Sequence, residues 1–144
     1  MRSGPERELV DDYLARSTKL ARSVGVLGVE ESPVDVSRCS DRVEETRKIV
    51  GQPDNTEVIV LDERGKAMTS RELAALIGRC RDDDKDVVFA IGAADGFEPS
   101  ALPRGARRIN LGTLTWPHKL VRAMMAEQIY RALNILAGTP YHRD

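Results

Sequence analysis

The sequence predicts an α/β fold: a mainly parallel sheet flanked by helices. Two short apolar runs, Val58 to Leu61 and Val87 to Ile91, have the length and β-branched content of buried strands. Segments of helical period alternate with them, which is the order that βαβ units require. At 144 residues with 41% hydrophobic side chains, the chain can bury a core as one ordinary domain.

Taken in order, Ser3 and Glu6 have the spacing of a capping box, and Leu9, Val10, Tyr13, Leu14 and Leu20 form a stripe, predicting a helix from about Gly4 to Arg22. Val24 to Val29 reads as a short strand, and Ser37 to Ile49 as a polar helix stopped by Gly51. Glu57 to Leu61 is a strand ended by Asp62 and the turn-forming Arg64-Gly65. Thr69 and Glu72 then open a helix running through Leu73, Leu76, Ile77 and Cys80. Asp86 to Ile91 is a third strand, followed by a Gly92 to Gly96 turn and a short helical piece near Pro99 to Leu102. Arg108 to Leu111 is a fourth strand. Pro117 can start the last helix, whose stripe is Leu120, Val121, Met124, Ile129, Leu133 and Leu136 and which stops around Gly138 and Pro140.

Composition excludes several classes. The 22 basic and 23 acidic residues leave a net charge of −1, so no chain-wide field attracts nucleic acid or membrane. The charge is nonetheless uneven. Residues 101 to 144 carry Arg104, Arg107, Arg108, Lys119, Arg122, Arg131 and Arg143 against only Glu127 and Asp144. That excess suits a local phosphate-facing surface, and it equally suits a solvated helix face. Cys39 and Cys80, with the distant His118 and His142, lack the close ligand pairs of a zinc site, so no metal is expected. No apolar run approaches the roughly 20 residues that cross a bilayer, and the first residues lack the apolar centre of a secretory signal. A reduced, cytoplasmic chain is expected.

In open α/β sheets, ligands lie beyond the carboxyl ends of the strands. Here those ends deliver Leu61-Asp62, Ile91-Gly92 and Leu111-Gly112. The glycines permit a backbone to approach a ligand closely, and they would also serve simply to turn the chain. There is no Walker A sequence, and Gly92 to Gly96 is not the dinucleotide-binding glycine pattern, which disfavours a triphosphatase or an ordinary dehydrogenase.

The final third is the specific part. IGAADG, then LGTLTWPHKLVRAMMAEQIYRA, then a terminal PYHRD resemble the RlmH family of small SPOUT-type methyltransferases, along the whole chain and most closely over Leu111 to Arg131 and Tyr141 to Arg143. The resemblance implies a single domain over residues 1–144, a C-terminal trefoil knot and a homodimer. It also implies S-adenosyl-L-methionine as cofactor, and N3 of a pseudouridine in the helix-69 stem-loop of 23S rRNA in assembled ribosomes as target. Carried over residue by residue, it places the cofactor on Leu61, Gly92, Leu111, Gly112, Thr113, Leu114, Thr115 and Trp116. A main-chain and apolar site of that kind suits an adenine ring and a methionine chain.

Deprotonating an imide nitrogen calls for a base, and His118 and His142 are the candidates, with Arg143 as a phosphate clamp. Arg104, Arg107, Arg108, Lys119, Arg122 and Tyr141 form the expected RNA-facing set. Two features depart from the family pattern. The chain opens on Met1-Arg2-Ser3-Gly4-Pro5 where relatives carry an additional apolar strand, so that first strand is expected to be missing. Gly92-Ala93-Ala94-Asp95-Gly96 stands where many relatives have GGPEG or GGADG, and the extra methyl of Ala93 predicts weaker cofactor binding. The leading expectation is thus an rRNA methyltransferase. The alternatives are a non-catalytic ribosome-binding or dimerisation module of the same fold, and a methyltransferase acting on another RNA.

Overall fold

The structure, a computed structural model, describes residues 2–51, 53–92 and 96–144. Among the described residues, four helices and three strands follow one another as α1 (Pro5–Ala21), α2 (Arg42–Val50), β1 (Thr56–Ala67), α3 (Ser70–Asp82), β2 (Asp86–Ile91), β3 (Arg107–Asn110) and α4 (His118–Ala137). Short 3-10 turns lie at Arg22–Val24 and Pro99–Ala101. The three strands form one parallel sheet in the order β2-β1-β3. The chain gathers into two compact units: Met1–Glu31 with Thr69–Asp84 and Lys119–Asp144, and Ser32–Met68 with Lys85–His118. No helix of the described residues is long and apolar enough to cross a membrane.

The second unit holds the sheet. Val58, Ile59 and Val60 point alternately to opposite faces of β1 and are all buried, the pattern of a strand covered on both sides. On one face, Val58, Val60 and Ala90 pack with Val50 of α2 and with Phe97. Gly51 stops α2 as expected, with its N–H on the Arg47 carbonyl. The start is five residues later than Ser37, because the Asp35 carboxylate accepts from the Ser37 N–H and holds a turn there. The helix opens instead at Asp41, whose side chain caps the Glu44 N–H while Glu44 reaches back to the Ser40 N–H.

β1 corrects the expected strand end. It does not stop at Asp62 but continues to Ala67, and both Leu61 and Lys66 pair with Ile109 of β3. The intervening residues bulge outward, with the Asp62 carboxylate accepting from the Arg64 N–H at 2.9 Å. Glycine is required at 65 for space: a Cβ there would stand 2.6 Å from the backbone of Arg108 and Ile109. The Arg64-Gly65 pair therefore makes a bulge rather than a terminating turn.

In the first unit, α1 buries Val10, Ser17 and Ala21, while Leu9 of the expected stripe is 43% exposed. The capping box does not form, since Gly4 rather than Ser3 is the N-cap and Pro5 follows it. The strand expected at Val24 to Val29 is absent. Gly25 turns left-handed (φ 78°) and the Val26 N–H returns to the Ala21 carbonyl, after which Val26 and Val29 pack among Ala21, Val24 and Leu133. β-branched side chains thus find burial among helices instead of a sheet partner. α3 is capped by Thr69 as expected, its hydroxyl accepting from the Glu72 N–H. α4 is buried along Ala123, Met125, Ala126, Ala132, Leu133 and Asn134, a smaller-residue face than the expected stripe. Ser70 of α3 donates to Gln128 of α4 at 2.7 Å.

Gly65→Ala should lower stability by about 1–3 kcal/mol, because the methyl must displace main chain of β3 rather than a side chain. Urea denaturation measures this, and an unchanged midpoint would show that the bulge tolerates a side chain.

Candidate functional site

Leu61 pairs with Ile91, the last residue of β2, and with Ile109 near the end of β3, while β1 itself runs on through its bulge to Ala67. Gly92 follows Ile91 directly, and Leu111 follows two residues after Ile109. The register thereby sets Leu61, at the start of the β1 bulge, level with the ends of β2 and β3, which Gly92 and Leu111 directly follow; all three belong to the candidate cofactor site.

Beyond Leu111, every residue from 112 to 119 is exposed. Gly112 takes φ +114°, a conformation that L side chains rarely adopt, and so the loop's course depends on that glycine. Leu114 is 69% and Trp116 38% exposed, two large apolar groups standing in one short loop. Among the described residues, no main-chain group of 113–116 pairs with another main-chain group. Thr115 makes only a marginal contact, its hydroxyl 3.5 Å from the Glu63 carboxylate. A ligand with a flat apolar ring and polar edges would find both components here: uncovered hydrocarbon and unused amides and carbonyls. These residues fit S-adenosylmethionine on those grounds.

Asn110 is the residue that sequence reasoning missed. Its side-chain amide donates to the Gly65 carbonyl at 2.6 Å, and its side-chain oxygen accepts from the Gly112 N–H at 3.1 Å. One side chain therefore ties the β1 bulge to the start of the exposed loop. The available signal was an Asn at the end of a strand and two residues before a glycine, a common Asx-turn arrangement.

Gly92 has a structural reason to be glycine. A Cβ there would lie 3.0 Å from the Phe97 ring, and that ring is almost fully buried. Ala93, expected to weaken binding, lies outside the described residues.

Tyr141, His142 and Arg143 belong to the first unit. The Tyr141 hydroxyl donates to Glu127 at 3.0 Å, its ring meets Tyr130 edge-on, and the Arg131 guanidinium lies over it. His142 Nδ1 faces the Arg131 guanidinium at 3.2 Å, and Nε2 lies 2.9 Å from the Asp144 carboxylate. Since arginine only donates, Nδ1 is the acceptor and Nε2 carries the proton. Asp144 in turn takes both of its oxygens to Arg71 Nε at 2.9 Å, and Arg71 with His142 holds its carboxyl below the usual range. Arg143 is exposed. His118 is also exposed, as the first residue of α4.

The basic residues divide. Arg107 is held by Glu57 at 2.6 Å and Arg131 by Glu127 at 2.6 Å, while Arg104, Arg108 and Lys119 are exposed and Arg122 is half-buried.

Burial, together with the Glu127 carboxylate that accepts its hydrogen bond, pushes the Tyr141 phenol well above its ordinary value of 10. The folded form therefore favours neutral Tyr141. Its contribution to stability is complete below pH 10 and is lost as pH rises toward the higher folded value. In a phenolate absorbance titration of the three tyrosines, Tyr141→Phe should remove the phase at highest pH. A variant retaining that phase would show that Tyr141 is not the raised group.

The whole chain matches known proteins. A family described as "Predicted SPOUT methyltransferase" matches residues 1–142. A protein of Maricaulis maris named Ribosomal RNA large subunit methyltransferase H is 48% identical over all of this chain and 94% of its own length. Proteins of the same name from Hyphomonas neptunium and Rhizobium rhizogenes are 43% and 45% identical, each over 99% of this chain and 93% of their own length. With identity at this level from the first helix to the tail, the chain belongs to the RlmH family of SPOUT methyltransferases.

Proposed function

We propose that this chain is an S-adenosylmethionine-dependent methyltransferase of large-subunit ribosomal RNA, acting on N3 of a pseudouridine in helix 69 of 23S rRNA in the assembled ribosome. The relatives' name supplies the large-subunit rRNA, and the resemblance of the LGTLTWPH and PYHRD segments supplies the finer target. The observation that carries the reading is the register of Leu61 with Ile91 and Ile109, which sets Gly92 and Leu111, the start of the exposed 112–116 loop, toward one end of the sheet. We further propose a single cytoplasmic domain with a C-terminal trefoil knot, working as a homodimer whose two subunits build a composite surface for a shaped RNA. A chain of net charge −1 suits such a patch better than a broad grip on free RNA.

In this reading Leu61, Leu114 and Trp116 cover the adenine and hydrocarbon, while Gly92 and the main chain of Leu111, Gly112, Thr113 and Thr115 hold the polar edges. When bound there, S-adenosylmethionine supplies an electrophilic methyl group. The protein's contribution is alignment of the attacking nitrogen, together with removal of its proton. His118, exposed beside the loop in sequence, is the proposed acceptor of that proton. His142, whose Nδ1 already faces Arg131, is proposed to hold the tail so that Tyr141 and Arg143 meet the substrate. Arg104, Arg108, Lys119 and Arg122 are proposed to contact RNA phosphates.

Calorimetric titration with S-adenosylmethionine tests the cofactor claim. Trp116→Ala should weaken binding about tenfold through lost apolar contact, and Gly112→Ala by a similar factor through strain at φ +114°. No saturable binding by the folded wild-type chain would leave the non-catalytic ribosome-binding module as the better description.

Methyl transfer to large subunits lacking the modification tests the base. His118→Ala should lower turnover by about 10²–10⁴-fold while cofactor affinity stays as in wild type. Undiminished turnover would place the proton acceptor elsewhere, and mapping the methylated nucleotide decides between helix 69 and another RNA target.

A further inference from the structure

Three arginines separated in sequence are drawn together on the α2 face of the sheet, and no family resemblance pointed to two of them. Arg42, the first residue of α2, donates from NH2 to the Phe97 carbonyl at 2.8 Å. Arg64, in the β1 bulge, reaches the same carbonyl from NH2 at 3.5 Å and the Asp62 carboxylate from Nε at 3.4 Å. Arg108 of β3 stands 3.7 Å from the other oxygen of Asp62. Arg108 pairs with Val60, whose side chain faces α2, which places it on the same side.

The cluster is held without being saturated. Its carboxylates are Asp62 and Glu98, the latter 3.9 Å from Arg42, so one positive charge stays in excess. Asp62 is 4% exposed at its side chain, yet its Oδ2 has no hydrogen bond, and neither has the buried Nε of Arg42. The arginine side chains keep 41%, 56% and 40% of their surface in solvent. Two guanidinium groups directed at one neutral carbonyl repel each other, a cost that an anion would relieve. Their planar forks match the paired oxygens of a phosphodiester. Asp62 follows Leu61, and Phe97 lies five residues after Gly92, so the cluster stands at the sheet end that carries the candidate methyl-donor site.

We propose that Arg42, Arg64 and Arg108 form one grip for the RNA sugar-phosphate backbone, with buried Asp62 as the residue that positions Arg64 and Arg108. This rests on the proposed function for the nature of the polyanion, and it adds Arg42, Arg64 and Asp62 to the substrate side.

The test is binding of the full chain to purified large ribosomal subunits across a salt series, with S-adenosylmethionine affinity measured in parallel. Arg64→Gln and the Arg42→Gln/Arg64→Gln pair should each weaken binding at low salt. The slope of log affinity against log salt should fall by about 0.7–0.9 per arginine lost. Arg47→Gln, an equal charge change at an exposed position of α2, should leave the slope close to wild type. Asp62→Asn separates positioning from charge: it makes the chain more positive, so charge alone predicts tighter binding and positioning predicts weaker binding. Unchanged slopes in the Arg42 and Arg64 variants would overturn the proposal. So would a loss of cofactor affinity with RNA binding intact, because the arginines would then serve only to hold the segment at Phe97. A wild-type chain that fails to bind S-adenosylmethionine would sink the methyltransferase reading but leave the salt slopes to decide the grip.

Discussion

The approach of Gly65 to the main chain of β3 is the constraint on which the functional end of the sheet depends. Because a Cβ at 65 would lie 2.6 Å from Arg108 and Ile109, β1 can bulge over residues 62–65 and still return to pair with Ile109 a second time. The bulge turns Asp62 to cap the Arg64 N–H and brings Arg64 toward Phe97. It also presents the Gly65 carbonyl to Asn110, whose other side-chain atom fixes the Gly112 N–H. A strand that ended at Leu61, as Asp62 and the turn-forming Arg64-Gly65 suggested, would supply none of these connections.

What was legible in the sequence was what local chemistry decides. The Thr69–Glu72 cap, the β2 boundaries and the Gly51 stop each depend on a few adjacent residues, and each was read correctly. Where a remote partner decides, sequence misled. Val24 to Val29 has strand composition, but Val24 is buried with Ala21 and Leu133, the latter more than a hundred residues away, and half-buried Val26 and Val29 pack against them. Arg64-Gly65 has turn composition, but β3 supplies a second set of pairings that carries the strand onward. At Ser3, the box pattern was present and Gly4-Pro5 took the helix start instead.

The candidate site divides in the same way. Its loop residues, Leu111 to Trp116, were legible only as a family pattern, since composition describes them as a turn-rich stretch between a strand and a helix. Register sets Leu61 beside Ile91 and Ile109, so that Gly92 and Leu111 follow from neighbouring strands. Asn110 carries a local signal for its turn with Gly112, but its tie to Gly65, like that of Asp62 to Arg108, is a cross-strand contact that no local spacing encodes. Gly92 shows the converse: it was singled out for ligand approach, and the buried Phe97 ring, 3.0 Å from where a Cβ would stand, already gives a packing reason for a glycine there.

Charge distribution illustrates why counting along the chain is a poor guide to a binding surface. The C-terminal excess of basic residues includes Arg107 and Arg131, each held at 2.6 Å by a carboxylate and therefore partly neutralised. Arg42 and Arg64 lie instead in the part of the chain that is acidic on balance, and the fold sets them beside Arg108. Arg42 stands 3.9 Å from Glu98, while buried Asp62 lies between Arg64 and Arg108, one oxygen 3.4 Å from Arg64 and the other, which has no hydrogen bond, 3.7 Å from Arg108, so its single charge cannot neutralise both. Local potential at this end of the sheet is thus set by which charges are buried and shared, and a chain of net charge −1 can carry a cationic edge where its strands end.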